Sequence, residues 1–457
     1  MNDNPVFVPE SGLYQNFLVT GTIGSGKTAS ALYPFTRQLI DYFDNDFDNK
    51  LFLLILDVKG NYYSKVLEFA HDCNRLNDVI VIEINGKYRY NPLDKPSLLP
   101  SVLANRLKEI LLLFSPNNSE SFWIDKSEQV IEACISFCRI YNDGYVSFDE
   151  LHNLITDHSY YLSKLSIVRD YFISRKLSDV DIFNLYRSIN FLENDFYSLD
   201  DRNLHILQSE ITRITNCFVS NLDVKNTFCP SKEDENFCGF HDALHSGKIV
   251  ILNMNIAKYK NLSKIIAAYL KLDFQSDVLE QLCNHSCNLI RPSVFISDEY
   301  QEYVTSSDAS FFSQSREAKC INIVATQSYT SILNSLNNQY ASKVIIQSLV
   351  NKLWFRSDDI FTIEDIQKQI GKEEREHFSR TFSENSKHSS YNPLSKKFIS
   401  SDSSYSESLN SYSQLEFKYD YHFFTQELST FHCLSFLSDG NKILPPTELQ
   451  MIPYFIK

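Results

Sequence analysis

Residues Gly21-Thr22-Ile23-Gly24-Ser25-Gly26-Lys27-Thr28 fit the spacing G-x-x-x-x-G-K-[ST]. Glycines at those positions let successive backbone N–H groups turn inward around an oxyanion. A helix starting at the end of the loop adds the positive end of its dipole. In such a loop Lys27 is expected to reach the β- and γ-phosphates of a nucleotide, and the Thr28 hydroxyl to ligate Mg²⁺. The chemistry on offer is ATP binding and phosphoryl transfer, which needs positioned charge more than covalent help.

A second constellation supplies what a phosphate loop lacks. Asp298 and Glu299 follow the apolar run Ser293–Ser297. Asp298 is expected to hold Mg²⁺, directly or through water, and Glu299 to orient and deprotonate the attacking water. Gln327 closes the run Cys320–Thr326 and is placed to sense the γ-phosphate. Arg316 lies between the acid pair and Gln327, on the segment that leaves the ligand-binding edge of the sheet, and is a candidate arginine finger for a neighbouring subunit.

These residues need elements to hold them. Phe17–Thr20 reads as a buried strand entering the loop, and Thr28 to Ile40 as the helix leaving it. Leu51–Leu56 is an unbroken apolar run ending in Asp57-Val58-Lys59-Gly60, as a central parallel strand ends. A helix over Tyr63 to Asn74 and a strand over Val79–Ile84 continue a β-α-β alternation. Further strands are expected at Gly247–Leu252, Ser293–Ser297, Cys320–Thr326, Asn351–Phe355 and Phe431–Leu437. An amphipathic helix is expected over Leu262 to Leu282. The fold class is α/β: a phosphate-loop core with a mostly parallel sheet and an inserted all-α domain. The insertion spans 116–235, dividing the nucleotide-binding part into 1–115 and 236–457. Within the latter, 373–416 is rich in Ser and charge and reads as a flexible excursion.

The bulk numbers exclude some classes. With 43% hydrophobic and 22% charged residues, the 457-residue chain is globular and large enough for two or three domains. No apolar run approaches the length of a transmembrane helix, and the polar start Met1–Pro5 has no signal-peptide pattern. Ten cysteines show no C-x-x-C pair. Cys134/Cys138 and Cys283/Cys287 lack His partners at zinc spacing, so reduced thiols in a cytoplasmic protein are expected. A net charge of −14 argues against binding nucleic acid through uniform positive charge, though not against a basic pore inside an acidic shell. Asn142–Glu150 imitates half of a calcium loop, but Arg139 and Tyr141 fall where carboxylates belong. A turn with a Ser147/Glu150 capping box explains the same residues.

Taken in order, Gly21–Thr28, Asp57-x-Lys59-Gly60, Asn91-Pro92-Leu93, Phe122-Trp123, Asp298-Glu299, Arg316 and Ala325-Thr326-Gln327-Ser328 resemble the type IV coupling proteins. These are the TraD/TraG-type conjugative ATPases of the FtsK/HerA superfamily. The resemblance extends through Thr362–Gly371 and Gln426-Glu427-Leu428, and so over most of the chain. It implies a RecA-like core, a hexameric ring, ATP hydrolysis between subunits and DNA moved through a central pore. The chain departs from the family pattern at Val58 and Asn61, at Ser297, and at Glu317, where a Gly usually follows the arginine. The family's N-terminal membrane helices have no counterpart ahead of Gly21, so the expectation is a cousin without the membrane anchor.

Three functions follow as expectations: a DNA-translocating motor of the coupling-protein type, a cytosolic antiviral defence ATPase working with a nuclease, and an ATP-gated scaffold recruiting proteins through the helical domain.

Overall fold

The computed structural model describes residues 5–456 except 58, 115–120, 175–176, 284–289, 385–388 and 401–404. Val58 and Cys287 therefore lie outside the described residues, as does the start of the expected insertion. The chain separates into two compact units, Met1–Ser357 with Leu428–Lys457, and Asp358–Glu427.

Among the described residues, the first unit is built on nine strands. Seven run parallel: β1 (Phe17–Thr20), β2 (Phe52–Leu56), β3 (Val79–Ile82), β4 (Ile249–Leu252), β5 (Ser293–Ser297), β6 (Cys320–Thr326) and β7 (Asn351–Phe355). The expected α/β core with a mostly parallel sheet is thus the observed one. Strands β1, β2, β4, β5, β6 and β7 are buried at every position, which is why most of their residues are apolar and none alternates apolar with polar. The segment 372–417 contributes β8 to β11, described below, and the last two strands of the sheet are β12 (His432–Phe436) and β13 (Thr447–Gln450), both antiparallel to their neighbours. The sheet order is β13-β12-β7-β1-β6-β5-β2-β4-β3. Strand β6 stands between β1 and β5, so the phosphate loop and the acid pair leave the same edge two strands apart.

Between β3 and β4 the described residues form helices and no strand. The longer ones are Pro100–Leu112, Ser121–Tyr141, Phe148–Thr156, His158–Ser174, Asp179–Phe191 and Asp201–Val219. Three of their starts carry a side-chain cap: Ser147 Oγ accepts from Glu150 N at 3.3 Å, Ser178 Oγ from Asp181 N at 3.1 Å and Asp200 from Asn203 N at 3.3 Å. Phe148 and Phe218 stack at 3.9 Å inside this helical layer.

One expectation fails in the long helix Asn261–Cys283. It is not amphipathic: from Leu262 to Gln275 nearly every side chain is buried, including Lys271 and Asp273. Their charges are met internally. Lys271 Nζ lies 2.6 Å from Asp308 and also donates to Tyr303 O and Thr305 Oγ1. Asp273 is held by Lys95 at 3.0 Å, Arg106 at 2.8 Å and the Tyr90 hydroxyl at 2.8 Å. Charges that look like a solvent face are here the polar ties of a buried rod.

The second unit holds the segment expected to be a flexible excursion. Within 373–416 the described residues form paired strands: β8 (Lys372–Glu384) pairs with β11 (Tyr405–Phe417) over thirteen residues, and β9 (Ser389–Asn392) pairs with β10 (Lys397–Ser400). Phe378, Phe382, Leu409 and Leu415 share one exposed face of the longer ribbon, while His377, Tyr412 and Glu416 lie on the other. The composition looks flexible because both faces of the ribbon meet water. The few apolar residues sit at even spacing, which preserves a strand.

Candidate functional site

The turn after β1 is set by its glycines. Gly24 and Gly26 have φ of 79° and 101°, and a Cβ on Gly26 would come within 2.5 Å of the Phe431 ring. The loop is anchored from β7, since Thr22 N donates to Arg356 O at 2.8 Å, and internally by Ser25 Oγ donating to Thr22 O at 2.8 Å. Phe431 N donates to Ser25 O at 3.1 Å, which ties the chain entering β12 to the same loop. After Thr28 the backbone winds through a π-helical turn, Thr28–Leu32, and continues as an α-helix to Asp41. Ile23 is exposed at the rim, whereas Lys27 is buried and donates to Gly21 O and Thr22 O. Burial pulls the Lys27 pKa down against the opposing pull of Asp298 and Glu299.

Asp298 leaves β5 beside this loop. Its Oδ2 accepts from Thr28 Oγ1 at 3.0 Å. The Tyr303 hydroxyl locks the strand end, donating to Asp298 O at 2.8 Å and to Leu56 O at 3.1 Å, across β5 and β2. Asp298 is 3% exposed, and burial pushes its carboxyl above the ordinary range, aided by Glu299 and Asp57 and opposed by Lys59. Glu299 takes a left-handed backbone, φ 53°, which a non-glycine residue holds only at a cost. Its carboxylate accepts from Gln301 Nε2 at 2.6 Å and from Gln327 Nε2 at 3.3 Å, and pairs with the Lys59 ammonium. Burial would raise its pKa, but those three donors bring it below the usual carboxylate value.

The structure therefore brings Gly21–Thr28, Asp298, Glu299 and Gln327 together at the carboxyl edge of β1, β5 and β6. The oxygen donors Thr28 and Asp298 are hard and adjacent, and the Asp298 carboxylate is buried, a set that suits Mg²⁺.

Arg316 is not among them. Because β6 runs parallel to β5, the chain must return to the amino edge before β6 starts, and Arg316 sits there. The seven residues of β6 span about 23 Å at the usual strand rise, so Arg316 and the phosphate loop are at opposite edges. It lines a cleft of about 360 Å³ with Asn16, Ser348, Val350 and Lys442. The expectation that it leaves the ligand-binding edge is corrected by this topology.

One site residue carried no role in the sequence reading: Lys59. It follows the carboxyl end of β2, and β2 pairs directly with β5. Asp57 shapes its turn by accepting from Lys59 N at 2.8 Å, Asn61 N at 3.1 Å and Tyr62 N at 3.0 Å. The available signal was a lysine three residues past a central apolar strand; what it faces depends on which strand lies alongside.

No family model matches the chain, and a search of curated proteins gives no match. Solved structures of the plasmid conjugative coupling protein TrwB do match. The complex with a non-hydrolysable ATP analogue has a TM-score of 0.61 at 12% identity, covering 99% of this chain and 90% of that one. A sulphate-bound trigonal form has a TM-score of 0.62 at 11% identity, covering 97% and 86%. The complex with ADP and Mg²⁺ has a TM-score of 0.54 at 12% identity, covering 82% and 80%. At that identity the likeness is one of architecture, and over nearly its whole length this chain has the fold of the coupling protein TrwB.

Proposed function

We propose that this chain is an ATP-hydrolysing motor of the conjugative coupling-protein type, working as a homo-oligomeric ring, a hexamer, that moves DNA. The observation that carries the reading is the meeting of Thr28, Asp298, Glu299 and Gln327 at the mouth of a glycine loop that holds Lys27. Backbone N–H groups of Gly21–Thr28 cradle the phosphates, and Lys27 neutralises the transferring group. Thr28 and Asp298 would hold Mg²⁺, which when bound offsets charge on the phosphate oxygens. Glu299 takes the proton of the attacking water, and Gln327 orients the Glu299 carboxylate through its amide. TrwB is described with a non-hydrolysable ATP analogue and with ADP and Mg²⁺, which supports the same ligands here.

Arg316 acts on a neighbour. A ring made by head-to-tail contacts joins two different surfaces of the subunit, and Arg316 and the phosphate loop lie on different ones. Residues 1–115 and 236–457 supply the nucleotide-binding part, and 116–235 supplies an all-α domain for protein partners. Val180, Phe183 and Tyr186, exposed on one side of the helix Asp179–Phe191, suit such contacts. No helix among the described residues is long and apolar enough to cross a membrane. ATP as substrate supports a cytoplasmic setting.

The net charge of −14 and that apolar helix face favour a second reading, an ATPase whose target is a protein, as in a nuclease-partnered defence complex or a scaffold. Phosphate release with and without single-stranded DNA decides. A motor on DNA is stimulated severalfold, and Lys27→Ala abolishes both rates; unchanged rates with DNA select the protein-directed reading.

A further inference from the structure

The acid pair already has a cation of the protein's own. Lys59 Nζ pairs with Glu299 and lies 3.7 Å from Asp298 Oδ2, the same oxygen that accepts from Thr28. Glu299 and Asp298 side chains are 13% and 4% exposed, while Lys59 is 46% exposed. The half-open lysine therefore supplies the counter-charge for two nearly closed carboxylates.

Its backbone is fixed. Lys59 N donates to Asp57 Oδ1 at 2.8 Å, and Lys59 O accepts from Asn255 Nδ2 at 2.6 Å. Gly60 next to it has φ 75° and approaches Asn255 so closely that a Cβ would lie 3.1 Å from the asparagine Cβ. Only the four-carbon side chain is free to swing, and its exposure gives it water to swing into.

We propose that Lys59 is a positioning residue that takes the place of the metal against Asp298 and holds Glu299, and that a metal arriving at Thr28 and Asp298 displaces it. A divalent cation on Asp298 Oδ2 and an ammonium within 4 Å of that oxygen repel one another, so the two occupants compete. Displacement leaves Glu299 with Gln301 and Gln327 as its donors. The base is thus engaged by lysine before loading and released by it. This rests on the nucleotide-site reading given above, and it adds a regulated step to that site.

The test uses Mn²⁺ as probe on full-length protein without nucleotide, read by electron paramagnetic resonance. Lys59→Met is expected to bind Mn²⁺ about tenfold more tightly than wild type, the scale of an ordinary coupling between two sites. Lys59→Arg, which keeps the charge, is expected to stay at the wild-type affinity. Lys59→Gln repeats the neutral substitution with a different side chain, and thermal melting confirms that each variant is folded. Equal affinities for wild type and both neutral variants, no binding by any of them, or an arginine variant that behaves like the methionine variant, overturns the proposal. A fluorescent ATP analogue is titrated in parallel against wild type and Lys27→Ala. Absence of Lys27-dependent binding removes the nucleotide-site reading and this proposal with it. Intact ATP binding with unchanged Mn²⁺ affinity removes the Lys59 role alone.

Discussion

Thr28 Oγ1 donates to Asp298 Oδ2 at 3.0 Å, although 270 positions separate the two in the chain. The contact joins the helix after β1 to the end of β5, with β6 lying between those strands in the sheet. It fixes the spot where a metal would meet the phosphate loop, and Glu299, the next residue, inherits its position from it.

Glu299→Gln should separate binding from hydrolysis. The amide keeps the size of the side chain and loses the base, so ATP affinity should stay within a few fold of wild type. Turnover should fall by about 10²–10⁴, the usual share of a general base. Single-turnover phosphate release checks this; a wild-type rate would show that Glu299 is not the base.

Arg316→Ala should bind ATP normally and hydrolyse it at least 10³-fold more slowly, on the scale of about 10³–10⁵ for a trans-acting arginine. Mixing it with Lys27→Ala gives the sharper result. Each protein alone is inactive, but in a mixed ring roughly a quarter of the interfaces pair an intact Lys27 with an intact Arg316. Partial activity should return. A fully active Arg316→Ala, or assembled rings that stay inactive on mixing, would assign the finger to another residue.

Lys271→Met tests the buried rod. It leaves Asp308 without its cation in the interior, though Tyr300, Gln275 and Thr305 still donate to it. A loss of about 3–5 kcal/mol is expected. Adding Asp308→Leu should recover much of that, because the uncompensated charge goes too. Urea unfolding of the single and double variants measures both.

Glu235 predicts a pH dependence. Burial, with Asp94 beside it, pushes its carboxyl from 4.5 up to about 7 in the folded protein, against the Asn91 N–H that donates to it. Between those values the folded state holds a proton that the unfolded state has released, so this group's contribution to stability falls as pH rises from about 4.5 to about 7. Glu235→Gln should flatten the melting-temperature profile in that window. An unchanged slope would mean that Glu235 titrates near its ordinary value.

How much of this was legible in the sequence follows the range of the interactions. The phosphate loop, its strand and its helix are local: glycine spacing, an apolar run and a capped turn act within a few residues, so Gly21–Thr28 could be read directly. The buried parallel strands were legible for a related reason, since burial on both faces leaves unbroken apolar runs such as Leu51–Leu56 and Ile249–Leu252. Asp298, Glu299 and Gln327 were legible as strand ends, because parallel strands bring their carboxyl ends to one edge.

Tertiary structure alone decided the rest. Which strand lies beside β5 is a matter of sheet order, and that order places Lys59 on Glu299. The return of the chain to the amino edge, forced by the parallel pairing of β5 and β6, put Arg316 at the edge opposite the phosphate loop rather than on the segment leaving the ligand-binding edge. The helix Asn261–Cys283 looked amphipathic because Lys271 and Asp273 are charged, yet their partners Asp308, Lys95 and Arg106 come from distant segments. The paired strands Lys372–Glu384 and Tyr405–Phe417 went unread because the bonds between them are between backbones, which composition does not record. In each case the sequence determined what a residue can do, and long-range packing determined what it does it to.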